Sequence, residues 1–328
     1  MVRSLPAENP EHGGPSHAEG AALALLTAML WGALPLALKQ IAHIMTPATV
    51  VWYRFCTAAA WLWICRIRAA RGAVHGGGSG TDRRLPWLML VLAALGLGGN
   101  FVLYNASAVY LSAPATQIVA QLGPMLLMLG GVLVLGEPFL TIQALGVPIL
   151  LFGFGLFFNR GLLDLGGCDL GFGLFLGVSA TVVWAAYGVI QKKLLVRMRS
   201  VDILRWLYTF CAIGFTPFAS PAQAFGLDWA QALCLAFCCM NTVAAYGAFG
   251  RAMSLWHTAK VSGLITLSPL FALAFAWLAH WLSPFFPPQP VNMLNFSGAL
   301  LVVSGACLIA AGPMLRLPWR PAKVVRGR

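Results

Sequence analysis

Ten apolar stretches of 17 to 23 residues decide what this chain can become. They fall at 20–38, 48–65, 86–106, 115–135, 141–158, 170–190, 203–219, 228–250, 260–282 and 292–313. A helix needs about 20 mostly apolar residues to cross the hydrocarbon core of a bilayer. Only 9% of the residues are charged and 59% are hydrophobic, whereas a soluble domain carries about 25% charge. A water-facing surface cannot be covered from that supply. Strands of a membrane barrel would appear as short alternating segments, and these stretches are continuous. The chain therefore reads as an all-α integral membrane protein with ten transmembrane helices. The least apolar stretches, 48–65 and 203–219, carry Arg54 and Arg205.

A net charge of +12 invites a nucleic-acid reading, but its distribution argues otherwise. With the N-terminus inside, 18 of the 21 basic residues fall in inner loops and tails, leaving Lys39, Arg54 and Arg160 outside. That bias is the positive-inside rule. The charge reports orientation and contact with membrane lipid headgroups, no nucleic acid, and both termini are expected in the cytoplasm. Residues 1–19, rich in Pro, Gly and Glu, read as a disordered cytoplasmic tail rather than a signal peptide. The Gly-rich segment 75–84 reads as a flexible inner loop, 159–169 as an outer linker and 314–328 as a basic cytoplasmic tail. The cysteines lie mostly in or beside spans, where they act as small apolar residues. Cys234 and Cys238 are one turn apart but lack the His or carboxylate company of a metal site.

The chain also repeats itself. "WGALPLALK" at 31–39 and "WAAYGVIQK" at 184–192 both set a Trp eight positions before a Lys. Pro124 in "QLGPML" answers Pro269 in "TLSPLF", and Gly146 and Gly153 answer Gly298 and Gly305 with the same spacing of seven. The offsets are 153, 145 and 152 with the order kept, and Asn100 and Tyr104 face Asn241 and Tyr246 at 141 and 142. Each half, 20–158 and 170–313, then holds five spans. An odd number makes the second half enter from the opposite side. Two inverted five-helix repeats place a site near the midplane where the halves meet.

These residues carry a resemblance to the drug/metabolite transporter superfamily and its EamA-like family, covering roughly residues 20–313. It rests on the Trp-Gly of the first span, Arg54–Phe55 in the second, Pro124 followed by "LGEP" at 135–138, and the Gly-rich fifth span of each half. The resemblance implies a carrier that moves small metabolites such as amino acids or amines through a central cavity, often for export, in a bacterial inner membrane. The second half has "LAHWLSP" where the family often repeats Leu-Gly-Glu, so any role of that second Glu is absent.

Polar and aromatic groups deep in spans are the residues that could touch a cargo, since unpaired polar atoms are costly there. Asn100 and Tyr104 share a helix face, as do Gln117 and Gln121, while Thr181, Trp184 and Tyr187 follow at three-residue steps. With Trp31, Asn241 and Tyr246 they make the candidate substrate-binding set. In the assigned orientation the first-half members lie toward the outer leaflet, and Trp184, Tyr187, Asn241 and Tyr246 toward the inner one. The plainer reading is interhelical hydrogen bonding, worth about 0.6 kcal/mol per bond, or anchoring at the interface. Arg54, Lys39 and Lys192 are expected to snorkel to the headgroups. Glu137 is expected to cap the fourth span, and Gly173 with Gly177 to mark a close helix contact. Pro35, Pro124 and Pro269 should break backbone hydrogen bonding within their spans.

No HExxH, Walker A or GxSxG motif is present. The nine acidic residues fall in tails, loops or span ends, so paired carboxylates for an integral membrane enzyme are missing. No cofactor or metal is expected. A secondary transporter of a small polar metabolite is favoured over a flippase for a polar-headed lipid and over an enzyme. With no acid or His deep in a span, transport down the cargo's own gradient, or exchange, is expected rather than proton coupling.

Overall fold

The computed structural model describes residues 15–72, 86–136, 139–159, 168–255, 258–283, 285–286 and 293–311. Most of the expected N-terminal tail and outer linker, the loop 75–84, the tail 314–328, Glu137 and His257 lie outside them. Twelve α-helices and two 3-10 turns make up the regular structure of the described residues. The helices are α1 (Pro15–Ile41), α2 (Pro47–Gly72), α3 (Trp87–Tyr110), α4 (Ala113–Ala120), α5 (Leu122–Leu135) and α6 (Thr141–Phe157). They continue with α7 (Cys168–Leu195), α8 (Ser200–Phe215), α9 (Trp229–Leu255), α10 (Thr258–Ile265), α11 (Ser268–Leu282) and α12 (Met293–Ala311).

Seven segments among the described residues are long and apolar enough to cross a bilayer, with α4–α5 acting as one and the end of α10 with α11 as another. Helices α6 and α12 are apolar but shorter. The stretch 203–219 is helical only to Phe215, where α8 gives way to 3-10 turns at Thr216–Phe218 and Pro221–Gly226. Pro217 and Pro221 supply no backbone N–H and restrict the residue before them. On the outside, Leu133, Phe152, Phe175 and Trp281 are 65 to 82% exposed, which acyl chains tolerate and water penalises. The protein is an all-α, multi-pass membrane protein.

The prolines act as their positions require. A proline cannot donate to the carbonyl four residues earlier. For Pro124 that carbonyl belongs to Ala120, where α4 stops, and for Pro269 to Ile265, where α10 stops. The chain resumes at once as α5 and α11. Pro35 leaves α1 unbroken but still deprives Trp31 of its own helix donor.

Helix packing repeats between the halves. Helix α1 packs on α9 and on α10–α11, as α7 packs on α3 and on α4–α5. Helix α2 meets α9 as α8 meets α3, the pairs α2–α8 and α6–α12 map onto themselves, and α4 also contacts α11. The α6–α12 seam shows this in detail. A Cβ at Gly146 would sit 2.7 Å from the Gly305 carbonyl oxygen, and one at Gly153 would sit 2.9 Å from that of Gly298. The matched glycines therefore face one another crosswise on antiparallel helices. Gln143 donates Nε2 to the Ile309 carbonyl at 3.2 Å, and Asn295 donates Nδ2 to the Phe157 carbonyl. The second bond is the first one moved by 152 residues at both ends.

Candidate functional site

The centre of the bundle is organised around α1. The Trp31 carbonyl, released by Pro35, accepts a hydrogen bond from Nε2 of Gln117 on α4. One residue earlier, the Leu30 carbonyl accepts from Nδ2 of Asn241 on α9. Its counterpart Asn100 on α3 donates at 2.9 Å to the Ala180 carbonyl on α7. Each half thus sends one Asn amide to the backbone of the other half's first helix. Gly32 lets α1 lie close to α11, since a Cβ there would meet the Ser268 carbonyl oxygen at 2.7 Å.

An aromatic cluster surrounds these bonds. The Trp31 ring lies 5.4 Å from Tyr246, 5.5 Å from Phe249 and 6.4 Å, edge-on, from Trp184. Tyr246 continues at 5.4 Å to Phe101, and Phe101 at 4.7 Å to Phe55. Residues assigned to opposite leaflets therefore meet across α1, α3, α7 and α9. Gln121, at the break between α4 and α5, donates Nε2 to the Ser268 hydroxyl at 3.1 Å, beside the break before α11. Both proline breaks are thereby joined through one side-chain bond.

Three candidate residues here keep a buried polar atom with no partner among the described residues: Gln121 Oε1, Asn241 Oδ1 and the Tyr187 hydroxyl. An unmatched buried polar group costs about 1–3 kcal/mol. Tyr187 packs in the same buried cluster as Phe101 and Tyr246. Thr181 is different: its hydroxyl donates at 2.7 Å to Val178 of its own helix. Tyr104 packs with a separate apolar group that includes Cys234 and Cys238.

Two cations depart from the expectation of snorkelling. Arg54 is only 2% exposed; its Nε donates to Thr242 at 2.8 Å and its guanidinium lies 4.4 Å above the Phe101 ring. It begins seven residues inside α2, about 10 Å along the axis at 1.5 Å per residue, too deep for the headgroups to be its destination. That depth was the signal available in the sequence. Lys39 donates Nζ to the Val109 and Leu111 carbonyls at 2.9 and 3.1 Å, satisfying the end of α3. Free carbonyls at a helix C-terminus attract a cation. Thr242, Phe101 and Tyr208 were not singled out in the sequence because a lone Thr and apolar rings in a span look like ordinary packing.

A cavity of about 390 Å³ opens at the α1–α2 turn, lined by residues that include His43, Thr46, Tyr110 and Phe172. None of the ten candidate residues lines it. Gly173 and Gly177 pack closely as expected, against Tyr110 and Leu111 and against Val119. Among the described residues, no group of three or more His, Cys, Asp or Glu side chains comes together.

The EamA-like transporter family profile matches the chain twice, over residues 18–159 and 171–311. The chain belongs to the EamA-like transporter family. Members of this family are transporters, so the membrane-enzyme reading falls away. A relative from Escherichia coli K12, named an uncharacterized inner membrane transporter YhbE, is 41% identical over 306 residues, covering 89% of this chain and 91% of its own. An uncharacterized transporter of Haemophilus influenzae is 38% identical over 298 residues, covering 90% and 96%. A crystal structure at 16% identity superposes with a TM-score of 0.64 over 90% of this chain and 97% of that one. At that identity it speaks for the fold alone.

Proposed function

We propose that this EamA-like transporter carries a small polar metabolite, such as an amino acid or amine, by alternating access, and that it works in export from a bacterial inner membrane. In this reading the chain crosses the membrane ten times, as two inverted five-helix repeats at 20–158 and 170–313, with both termini in the cytoplasm. The observation that carries it is the centre itself. Helices from both halves converge there, two of them broken at matched prolines and joined by the Gln121–Ser268 bond. Broken helices at a repeat interface are where carriers of this kind hold their cargo. Trp31, Asn100, Tyr104, Gln117, Gln121, Thr181, Trp184, Tyr187, Asn241 and Tyr246 are the proposed contacts.

Charge placement supports a reading of the energy source. The acids among the described residues are Glu19, Asp169, Asp202 and Asp228, all at or near helix starts. A proton-coupled carrier commonly buries an acid or His mid-membrane. We therefore assign exchange, or flow down the cargo's own gradient. Comparing metabolites of cells lacking and overproducing the protein should name the cargo, and counterflow in liposomes should then proceed regardless of an imposed pH difference. Concentrative uptake that collapses with an ionophore would overturn the energetic assignment. For the orientation, external cysteine labelling should reach a reporter in 159–169 and miss one in 72–82.

A further inference from the structure

Arg54 holds a positive charge inside the bundle, and no acid among the described residues answers it. Glu19 pairs with Arg251 and Asp202 with Arg205, while Asp228 caps the start of α9 and Asp169 sits in the first turn of α7. The surroundings fix the guanidinium in one orientation. The Thr242 hydroxyl donates to the Cys238 carbonyl at 3.0 Å, so toward Arg54 it acts as an acceptor and takes the Nε proton. Tyr208 steadies the same turn of α9 by donating to the Thr242 carbonyl at 3.3 Å. Phe101 covers one face of the guanidinium. The edge that remains is the Nη1–Nη2 pair, which has no hydrogen-bond partner among the described residues.

A buried charge without a partner is strongly disfavoured, and one hydroxyl with one aromatic face compensates it only in part. The free edge offers two parallel N–H groups at the spacing of a carboxylate's two oxygens. Tyr246 lies 5.4 Å from the same Phe101 ring that covers the guanidinium. A single cation neutralises a monoanion and would leave a phosphate dianion with excess charge in an apolar setting. The cavity at the α1–α2 turn shares Ala42, Met45, Pro47 and Val109 with a smaller gap that reaches Val50 and Asn105. Val50 lies one helical turn before Arg54 on α2.

We propose that Arg54 is the anchor for a carboxylate, so that the cargo is a small carboxylate-bearing molecule whose body lies against Phe101, Tyr104 and Tyr246. This rests on the carrier reading above and narrows its cargo class. It contrasts with a purely structural Arg54 that ties α2 to α9. Thermal unfolding of the purified full-length protein in lipid nanodiscs separates the two, with phenylacetate, phenylacetamide and inorganic phosphate as probes. Phenylacetate should bind the native protein at least about tenfold more tightly than the amide, as a charge-assisted bond implies, and phosphate should not match it. Arg54→Gln should bind acid and amide alike. Should that variant fail to fold, Arg54→Lys, which keeps the charge but not the paired edge, should weaken phenylacetate binding several-fold.

Equal binding of acid and amide by the native protein, binding of neither, or phosphate matching phenylacetate overturns the anchor. So does an acid preference that survives Arg54→Gln, or undiminished phenylacetate binding by Arg54→Lys. Counterflow of a cargo that lacks a carboxylate would also overturn the anchor while leaving the carrier reading intact. Failure of every candidate solute to exchange in liposomes would overturn the carrier reading, and the anchor with it.

Discussion

Along the α6–α12 seam, four glycines bring two backbones together so closely that no Cβ fits between them. Around α1, by contrast, proline breaks, amide side chains and aromatic rings fill the space, and several buried polar atoms lack a partner. The first region spends its sequence on contact that has one solution. The second holds bonds that can be exchanged, because a side chain that donates to a released carbonyl can also donate to something else. Both regions join the same two halves, so under the proposed alternating access the seam is expected to be the fixed axis and the centre the moving part.

The largest effect is expected where the contrast is sharpest. Gly305→Leu must push backbone against backbone on α6, at a cost of about 3 kcal/mol or more, and the folded fraction recovered from membranes should fall severely. A near-normal yield would break the idea of a fixed seam. In the centre, Trp184→Ala should reduce transport at least about tenfold through lost cargo contact, with little change in the amount of protein in the membrane. An equal loss of both would mean that the cluster is core rather than site.

A subtler prediction concerns the bond between Gln117 and the Trp31 carbonyl. Gln117→Leu should destabilise the protein by about 1 kcal/mol. Adding Pro35→Ala should remove most of that cost, because an alanine at this position returns to Trp31 the helix donor that the proline withholds. Unfolding of the single and double variants in detergent checks this. Independent, additive effects would show that the proline and the amide are unrelated.

Much of this contrast was legible in the sequence. The matched prolines and glycines are backbone statements, and backbone chemistry depends little on what surrounds it. The breaks at Ala120 and Ile265 therefore follow from residue type and spacing, whereas the sequence matched Gly146 and Gly153 to Gly298 and Gly305 without pairing them across a seam. Arg54 and Lys39 were misread because the fate of a long cation depends on whether acceptors lie nearby in space. Thr242 and the end of α3 are 188 and about 70 positions away in sequence. The meeting of Trp31 with Tyr246 was likewise hidden, since helix faces can be read from spacing but their rotation against neighbours cannot. The end of α8 was overrun because apolar composition continued past Pro217, where the backbone could not.

The division into fixed seam and moving centre is tested most directly by locking the centre. In a background without native cysteines, Gln121→Cys with Ser268→Cys puts two thiols where the 3.1 Å bond joins the breaks, to be linked by a short bifunctional thiol reagent that a reductant cleaves. Counterflow in liposomes, run with the cargo found by the metabolite comparison, should stop when the pair is linked and return when the link is cleaved. Undiminished counterflow with the cross-link fully formed would contradict the account.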